Sequence, residues 1–273
     1  LAANDSAVPG LSTGLPDVDM AISGLNKSDL ILLAARPGMG KTSFALNMLL
    51  HAGKFSGKTV VFFSLEMSRE QLAMRLISGE SFVDNKKLVT GRLGEEDWSR
   101  IAAASAALNK TQILIDDNPS LSVADMNAKC RRVDNLGLVV IDYLQLMTSA
   151  GGSTRSGDNR QQIVSDISRA LKIMAKELNV PVVCLSQLSR GPESRSDKRP
   201  MLSDLRESGA IEQDADIVMF LYRDDYYNED SENHNLAECI IAKNRHGETK
   251  TVELQWLPEY TTFSSIDRRH QEY

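Results

Sequence analysis

Short apolar runs alternate with amphipathic stretches along most of the chain. Six runs are almost wholly apolar: Leu30–Ala34, Thr59–Leu65, Gln112–Ile115, Leu138–Ile141, Val182–Leu185 and Ile217–Tyr222. Runs of this kind are typical of strands that are buried on both faces of a parallel sheet. Helical patterns fall between and after them: Lys41–His51, Ser68–Ser78, Glu95–Leu108, Val123–Leu136 and Asn159–Asn179. This alternation predicts an α/β fold with a mainly parallel, twisted sheet flanked by helices.

The pattern changes toward the C-terminal end, where the helical stretches stop. Glu238–Ala242 and Thr251–Trp256 have strand-like composition, and His246-Gly247 between them is typical of a turn. These features predict an antiparallel hairpin added to the sheet.

Composition places the chain among ordinary folded proteins, with 25% charged residues and a net charge of −6. This balance argues against a histone-like cationic binder, although a local basic patch on an acidic protein can still bind nucleic acid. Residues 151–206 contain ten Lys and Arg against six Asp and Glu, whereas residues 207–232 contain one Arg and nine acids. The basic part overlaps two predicted mobile loops, Ser149–Asp158 and Ser189–Pro200. Solvated loop charge is the alternative interpretation.

Cysteine usage and hydropathy predict a cytoplasmic protein without a membrane partner. Cys130, Cys184 and Cys239 are widely spaced and form no CxxC motif, which is typical of buried thiols in a reducing compartment. No apolar run approaches the ~20 residues that span a bilayer, and no signal-peptide pattern is present. We expect residues 1–9 to be the remnant of a linker or a disordered N-terminus, and residues 10–273 to form one domain.

A phosphate-binding loop is the strongest chemical signal. The segment from Ala35 to Thr42 follows a predicted strand, opens a predicted helix and reads G-x-x-x-x-G-K-[ST] with Ala at the first position. Glycines let backbone N–H groups turn toward phosphate oxygens, and the helix dipole favours the anion. Lys41 would reach the β- and γ-phosphates, and Thr42 would offer its hydroxyl to Mg²⁺. The candidate nucleotide-binding residues here are Arg36, Pro37, Gly38, Met39, Gly40, Lys41, Thr42 and Ser43.

Acidic and amide side chains stand where other predicted strands end. Asp142 ends an apolar strand, and beside a phosphate loop such a carboxylate can hold Mg²⁺. Glu66 ends another strand, just before a helix whose Ser68 and Gln71 have capping-box spacing. Glu66 could orient an attacking water, or it could be a solvated acid ahead of the helix. Gln187 could sense the γ-phosphate, but polar residues are common at strand ends.

Basic residues lie at the tip of the predicted hairpin, in Lys243-Asn244-Arg245-His246-Gly247. Such residues are usually solvated. They would matter if a neighbouring chain placed its nucleotide there, because the planar, always charged guanidinium of Arg stabilises charge on phosphoryl oxygens.

Taken together, these motifs resemble the C-terminal, RecA-like motor domain of DnaB-type bacterial replicative DNA helicases. The likeness covers about Gly10 to Phe263. It is carried by Gly10–Leu15 with Asp19, Ala34–Thr42, Phe63–Ser68, Val140–Gln145, Leu185–Arg190 and Ser203–Asp216. The resemblance implies a RecA-like P-loop NTPase that uses ATP and Mg²⁺, with Thr42 and Asp142 at the metal.

The resemblance also implies roles that the motifs alone leave open. Glu66 matches the catalytic glutamate, and Gln187 matches the phosphate-sensing glutamine. Lys243 and Arg245 match a basic pair that is inserted into the next subunit's site. Arg206, Glu207 and Gly209 match a loop that contacts single-stranded DNA.

The implied assembly is a head-to-tail homo-hexamer that moves 5′ to 3′ along single-stranded DNA and meets a primase and a helicase loader. The implied N-terminal domain and linker helix do not match any part of this sequence, so ring formation by this chain alone stays open.

Two other interpretations remain at this point. A RecA-like recombinase or repair ATPase would share the phosphate loop and the Lys-Asn-Arg-x-Gly stretch, but the Ser203–Asp216 block argues against it. A non-motor nucleotide switch would bind ATP with little turnover and no stimulation by single-stranded DNA. Unwinding, strand-exchange and ATPase assays would distinguish the three.

Overall fold

The computed structural model of the chain describes residues 8–142, 157–205, 209–228 and 230–266. Its strands are β1 (Leu30–Ala35), β2 (Thr59–Ser64), β3 (Ile113–Asp116), β4 (Leu136–Asp142), β5 (Val182–Gln187), β6 (Ile217–Tyr222), β7 (Leu236–Asn244), β8 (Lys250–Leu257) and β9 (Thr262–Ser265). They form one sheet in the order β3-β2-β4-β5-β1-β6-β7-β8-β9. Strands β1 to β6 pair in parallel, and β6 to β9 pair antiparallel. The predicted fold class, including the C-terminal hairpin, is therefore confirmed.

Helices cover both faces of the sheet. They are α1 (Pro16–Ile22), α2 (Lys41–Phe55), α3 (Arg69–Ser81), α4 (Asn85–Thr90), α5 (Glu95–Leu108), α6 (Val123–Cys130), α7 (Gly157–Leu178) and α8 (Gly209–Asp214). Phe44 of α2 packs in the core on one face, and Leu171 of α7 packs in the core on the other. Every residue of β1 and β6 is buried, as continuous apolar runs require. No helix in the described ranges is long and apolar enough to cross a bilayer.

Element boundaries show where local pattern and tertiary pairing disagree. The prediction of a helix over Val123–Leu136 was too long, because α6 ends at Cys130 and Leu136 already belongs to β4. Asn135 has a left-handed backbone (φ 53°), and its carbonyl accepts a hydrogen bond from Thr59 of β2. Pairing with β2 thus determines that the polar residues after Cys130 leave the helix and form a turn. The capping box of Ser68 and Gln71 at the start of α3 is present as predicted.

The segment Ser189–Pro200 was expected to be a mobile loop with solvent-facing or ligand-facing charge. Instead, it contains a short 3-10 turn at Gly191–Ser194, and most of its charges have internal partners. Its contacts to the rest of the domain include the ion pairs Arg36–Glu193, Arg195–Asp204 and Arg199–Glu238 and a cation–π contact between Lys198 and Tyr227. Much of the predicted basic character is therefore neutralised within the chain. The other predicted loop, Ser149–Asp158, lies outside the described residues except for its last two, which begin α7.

Candidate nucleotide site

Four strands bring the phosphate loop, Asp142 and Gln187 to one edge of the sheet, with Glu66 just after one of these strands. The strand pairing places Ala35, at the end of β1, beside Gln187 at the end of β5. It also places Ser64, at the end of β2, beside Asp142 at the end of β4. Because parallel strands share one direction, all four carboxyl ends meet there, which is where ligands bind in open α/β sheets.

The phosphate loop depends on two glycines. Gly38 and Gly40 have φ angles of 82° and 93°, in the left-handed region that favours glycine. A Cβ atom on Gly38 would lie 2.7 Å from the Tyr226 ring, and one on Gly40 would lie 2.7 Å from the Phe263 ring. The turn is therefore closed to larger residues, and it delivers the chain into the first turn of α2 at Lys41.

Side chains of the loop divide into those that face the site and those that support it. Met39 and Ser43 are buried, so only their backbone could contact a phosphate. Arg36 donates from Nη1 to the carbonyl of Leu188 at 2.9 Å and pairs with Glu193 at 2.6 Å. The Arg36 side chain thus fastens the phosphate loop to the segment that follows β5, and the predicted direct contact with nucleotide is left to its backbone.

Lys41, Thr42 and Asp142 form the centre of the site. The Thr42 hydroxyl donates to Asp142 Oδ2 at 2.7 Å. Lys41 Nζ lies 3.4 Å from Asp142 Oδ1, and this buried oxygen accepts no hydrogen bond from the described residues. A buried carboxylate oxygen without a hydrogen bond is costly unless a ligand satisfies it.

This donor set fits Mg²⁺. Magnesium prefers oxygen ligands and is usually held by one or two protein groups together with waters and substrate phosphates. Thr42 Oγ1 and Asp142 offer such groups, and in the described part of the chain no cluster of three or more His, Cys, Asp or Glu offers a full protein cage. The arrangement is suited to a Mg²⁺ ion that binds together with a nucleotide.

Glu66 stands at the open side of the site. The Ser64 hydroxyl donates to the carbonyl of Met67 at 2.6 Å and accepts from its N–H at 3.1 Å, which fixes the turn after β2. Leu65 N donates to the Asp142 carbonyl at 2.7 Å, so this turn is tied to β4. The Glu66 side chain is exposed, as a group that meets water must be.

Arg75 of α3 is a cation near the site that the sequence analysis did not consider. Burial lowers the pKa of its guanidinium, whereas the nearby carboxylates of Asp142 and Glu66 raise it. The side chain is therefore a partly desolvated cation close to both acids. An arginine between the buried residues Leu72 and Leu76 of an amphipathic helix was the signal available in the sequence.

Lys243 and Arg245 are not brought to this edge. Asn244 pairs with Ile217 at the start of β6, and Ile217 pairs with Ile31 at the start of β1. The phosphate loop follows the other end of β1, and a six-residue strand at ~3.3 Å per residue separates its ends by roughly 17 Å. Lys243 and Arg245 thus lie at the amino ends of the strands, away from their own chain's Lys41.

Of the residues expected to contact DNA, Arg206 and Glu207 lie outside the described residues. Gly209 is described and begins α8.

The fold and the site together define a P-loop nucleotide-binding protein of the RecA-like class. Residues 10–265 match the DnaB-like helicase C terminal domain family. The chain belongs to this family, which confirms the resemblance and favours it over a recombinase or a nucleotide switch.

Individual relatives agree with the family. The chain is 53% identical over 271 residues to "Replicative DNA helicase DnaB" of Geobacillus stearothermophilus and 51% identical to "Replicative DNA helicase DnaC" of Bacillus subtilis (strain 168). These alignments cover 98% and 97% of this chain but only 59% and 58% of the relatives. The chain therefore spans rather more than half the length of these proteins.

Solved structures give the same assignment. The structure described as "ATPase Domain of G40P" superposes with a TM-score of 0.89 at 41% identity, covering 96% of this chain and 93% of that one. A RadB recombinase reaches a TM-score of 0.59 at 16% identity, covering 94% of this chain and 100% of that one, which shows a shared fold alone.

Proposed function

We propose that this chain is the ATP-hydrolysing motor domain of a replicative DNA helicase, which couples hydrolysis to 5′–3′ movement on single-stranded DNA and to duplex unwinding. Family membership and the relatives named as replicative DNA helicases support the proposal. A glycine turn next to Lys41, Thr42 and Asp142 also supports it, because phosphoryl transfer needs groups that position phosphates and fixed charges around the reacting group.

Each residue of the carboxyl edge has a role in this proposal. Lys41 and the N–H groups of the phosphate loop hold the β- and γ-phosphates. Bound Mg²⁺, held by Thr42 and Asp142, would neutralise charge on the phosphate oxygens. Glu66 orients and deprotonates the attacking water, and Gln187 senses the γ-phosphate.

The observation that carries the proposal is the separation of Arg245 from its own chain's phosphate loop. A basic pair at the opposite edge of the sheet can complete a nucleotide site only in another copy. Such a contact is head-to-tail, and repetition of a head-to-tail contact closes a ring when the rotation allows it. We therefore propose a homo-hexamer with ATP at each subunit interface, where Lys243 and Arg245 act on the neighbour's nucleotide.

DNA would pass through the ring and contact Arg206, Glu207 and Gly209. Contacts to phosphates carry no base information, so binding should be largely independent of sequence and sensitive to salt. A primase is a proposed partner, since one similar structure is described as "The Structure Of A DnaB-Like Replicative Helicase And Its Interactions With Primase". This chain is 41% identical to the helicase in that structure, and the alignment covers 63% of the helicase chain there. A helicase loader is a further proposed partner, and the three buried free cysteines suit the cytoplasm.

Mixing two inactive variants tests the shared site. Glu66→Ala removes the base of its own site but keeps the Arg245 that it would offer to the neighbouring chain as an arginine finger. Arg245→Ala keeps its own site complete but offers no arginine finger to its neighbour. With random assortment at equal mixing, about a quarter of head-to-tail interfaces combine an intact site with an intact finger. We expect ATPase activity to return on mixing, in the presence of single-stranded DNA and at concentrations where mixed oligomers are detected by native mass spectrometry.

The result has a clear contrary outcome. If mixed oligomers form and activity stays at the level of the separate variants, Arg245 does not act in trans. A matched control is Lys250→Ala, an exposed residue of the same hairpin, which should keep full activity alone and in mixtures.

A further inference from the structure

Lys243 is fully engaged inside its own chain. Its ammonium nitrogen lies 2.5 Å from the carbonyl oxygen of Glu212, 2.8 Å from that of Ala215 and 3.2 Å from that of Gln213. A lysine ammonium has three donors, and these three carbonyls use all of them. They are carbonyls at the C-terminal end of α8, where a helix leaves its last acceptors without partners.

Arg245 is held differently. Its Nη2 donates to the carbonyl of Gln213 at 2.7 Å, and its Nη1 lies 3.4 Å from Asp216 Oδ1. These contacts use two of the five donors of a guanidinium, and half of the side chain is exposed. Arg245 can therefore meet an incoming phosphate without leaving its support, whereas Lys243 must give up at least one carbonyl.

Helix α8 is short enough to depend on this cap. It has six residues, and a helix of only one or two turns is not stable without tertiary contacts. Ile211 is buried, and Asp214 accepts a hydrogen bond from Ser168 of α7 at 2.6 Å. The ammonium of Lys243 adds charge-assisted hydrogen bonds where the helix dipole is negative. Loss of the cap should loosen a helix that begins at Gly209.

We propose that Lys243 is a coupling residue with two alternative partners. Without nucleotide in the neighbouring chain its ammonium caps α8, and when the neighbour binds a nucleoside triphosphate the ammonium leaves that cap for the phosphate. Nucleotide in one subunit thereby loosens α8 in the next. The inference rests on the proposed trans site and adds to it a path from that site to the helix that starts at Gly209.

Hydrogen-exchange mass spectrometry on peptides that cover α8 tests the inference. The assembled protein is compared without nucleotide and with a saturating non-hydrolysable ATP analogue and Mg²⁺, in the absence of DNA. In the wild type, the analogue should speed exchange in α8 by roughly fivefold or more, the scale of losing charge-assisted hydrogen bonds. Lys243→Met should exchange quickly in both states, and Lys250→Met should behave as the wild type.

Two outcomes overturn the inference. The first is wild-type exchange in α8 that stays constant or slows when the analogue is bound. The second is Lys243→Met exchange equal to that of the wild type without nucleotide. The wild-type comparison decides the matter even if the variant fails to fold.

Failure of the proposed function itself looks different. Full turnover by Arg245→Ala, or the absence of an oligomer with the analogue, removes the trans site. If Arg245→Ala loses turnover but hydrogen exchange in α8 of the wild type does not change when the analogue binds, the trans site stands and only the coupling by Lys243 is refuted.

Discussion

Two lysine–aspartate pairs, one at each edge of the sheet, have different surroundings. At the carboxyl edge, Lys41 lies 3.4 Å from Asp142 Oδ1, and that buried oxygen accepts no hydrogen bond from the described residues. At the amino edge, Asp216 Oδ2 accepts from Lys172 Nζ and from the N–H of Leu30. Both carboxylates are buried, yet only the second is saturated by its own chain.

The same contrast extends along each edge. At the amino edge His246 Nε2 lies 2.6 Å from Asp29 Oδ2, and Asn244 donates to the carbonyl of Ala21 at 3.1 Å. At the carboxyl edge the glycine turn offers backbone donors, and Glu66 is exposed. Residue type does not distinguish the edges, because both carry cations and carboxylates. The hydrogen bonds of the buried carboxylates do distinguish them, because Asp142 Oδ1 accepts none from the described residues whereas Asp216 Oδ2 accepts two. A buried polar atom without a hydrogen bond requires an explanation, and at the carboxyl edge a bound ligand provides one.

The largest expected effects come from replacing each of these two lysines by an apolar residue. Lys41→Ala should reduce ATP turnover to background and weaken nucleotide binding, because it removes the charge that holds the phosphates. Lys172→Met should leave nucleotide binding intact but lower the free energy of unfolding by about 2 kcal/mol, because it removes the closer of the two cations beside the buried Asp216 carboxylate and leaves only the longer contact with Arg245.

ATPase assays, nucleotide titrations and urea unfolding of the two variants check the contrast. Near wild-type turnover in Lys41→Ala would remove the phosphate-loop assignment. Loss of nucleotide binding in a folded Lys172→Met protein would show that the two edges are not separate in function.

A smaller effect should follow from Glu66→Gln. The change keeps size and polarity but removes the base, so we expect ATP to bind normally and turnover to fall by roughly two to four orders of magnitude. Asp142→Asn should act differently, by raising the Mg²⁺ concentration that half-maximal activity requires. Single-turnover hydrolysis and magnesium titrations separate the two. Normal turnover in Glu66→Gln would show that Glu66 is not the catalytic base but a solvated acid ahead of α3.

Local sequence predicted most of the fold and the centre of the site. Five of the six predicted strands are largely buried apolar runs, whereas β3, the outermost strand of the sheet, is not buried as predicted, and Leu114 is 45% exposed. The phosphate loop and Asp142 are recognised from the few residues around them. Local pattern failed where distant residues decide the structure. The helix after Ser122 ends early because residues 131–135 turn to meet β2, and the loop after β5 is fixed by partners as distant as Arg36 and Glu238.

The same limit applies to single residues. Arg75 is affected by the charges of Asp142 and Glu66 only because the fold brings α3 near them, which the spacing of residues within α3 does not reveal. The hairpin tip was predicted, but nothing in Lys243-Asn244-Arg245 indicates that one cation is saturated and the other is half exposed. Such distinctions depend on contacts to α8 and Asp216, which are about thirty positions away in sequence.

The smallest predicted effect concerns the far end of α2. His51 packs against Gly14 and the Phe55 ring, and its burial lowers its pKa; Lys54 lowers it further, while Asp19 raises it. The folded chain therefore binds a proton at His51 less readily than the unfolded chain does. Its contribution to stability is present above the unfolded pKa of about 6.5 and is lost as pH falls below that value.

His51→Phe keeps a ring against Phe55 and removes the titration. We expect the melting temperature of the wild type to fall more than that of the variant between pH 8 and pH 5.5. Nucleotide affinity at pH 8 should be equal in the two proteins, because ten residues of helix at ~1.5 Å each place His51 roughly 15 Å from Lys41. Parallel melting curves for the two proteins over this range would exclude His51 as a source of acid sensitivity. A change in nucleotide affinity would instead show that the two ends of α2 are coupled.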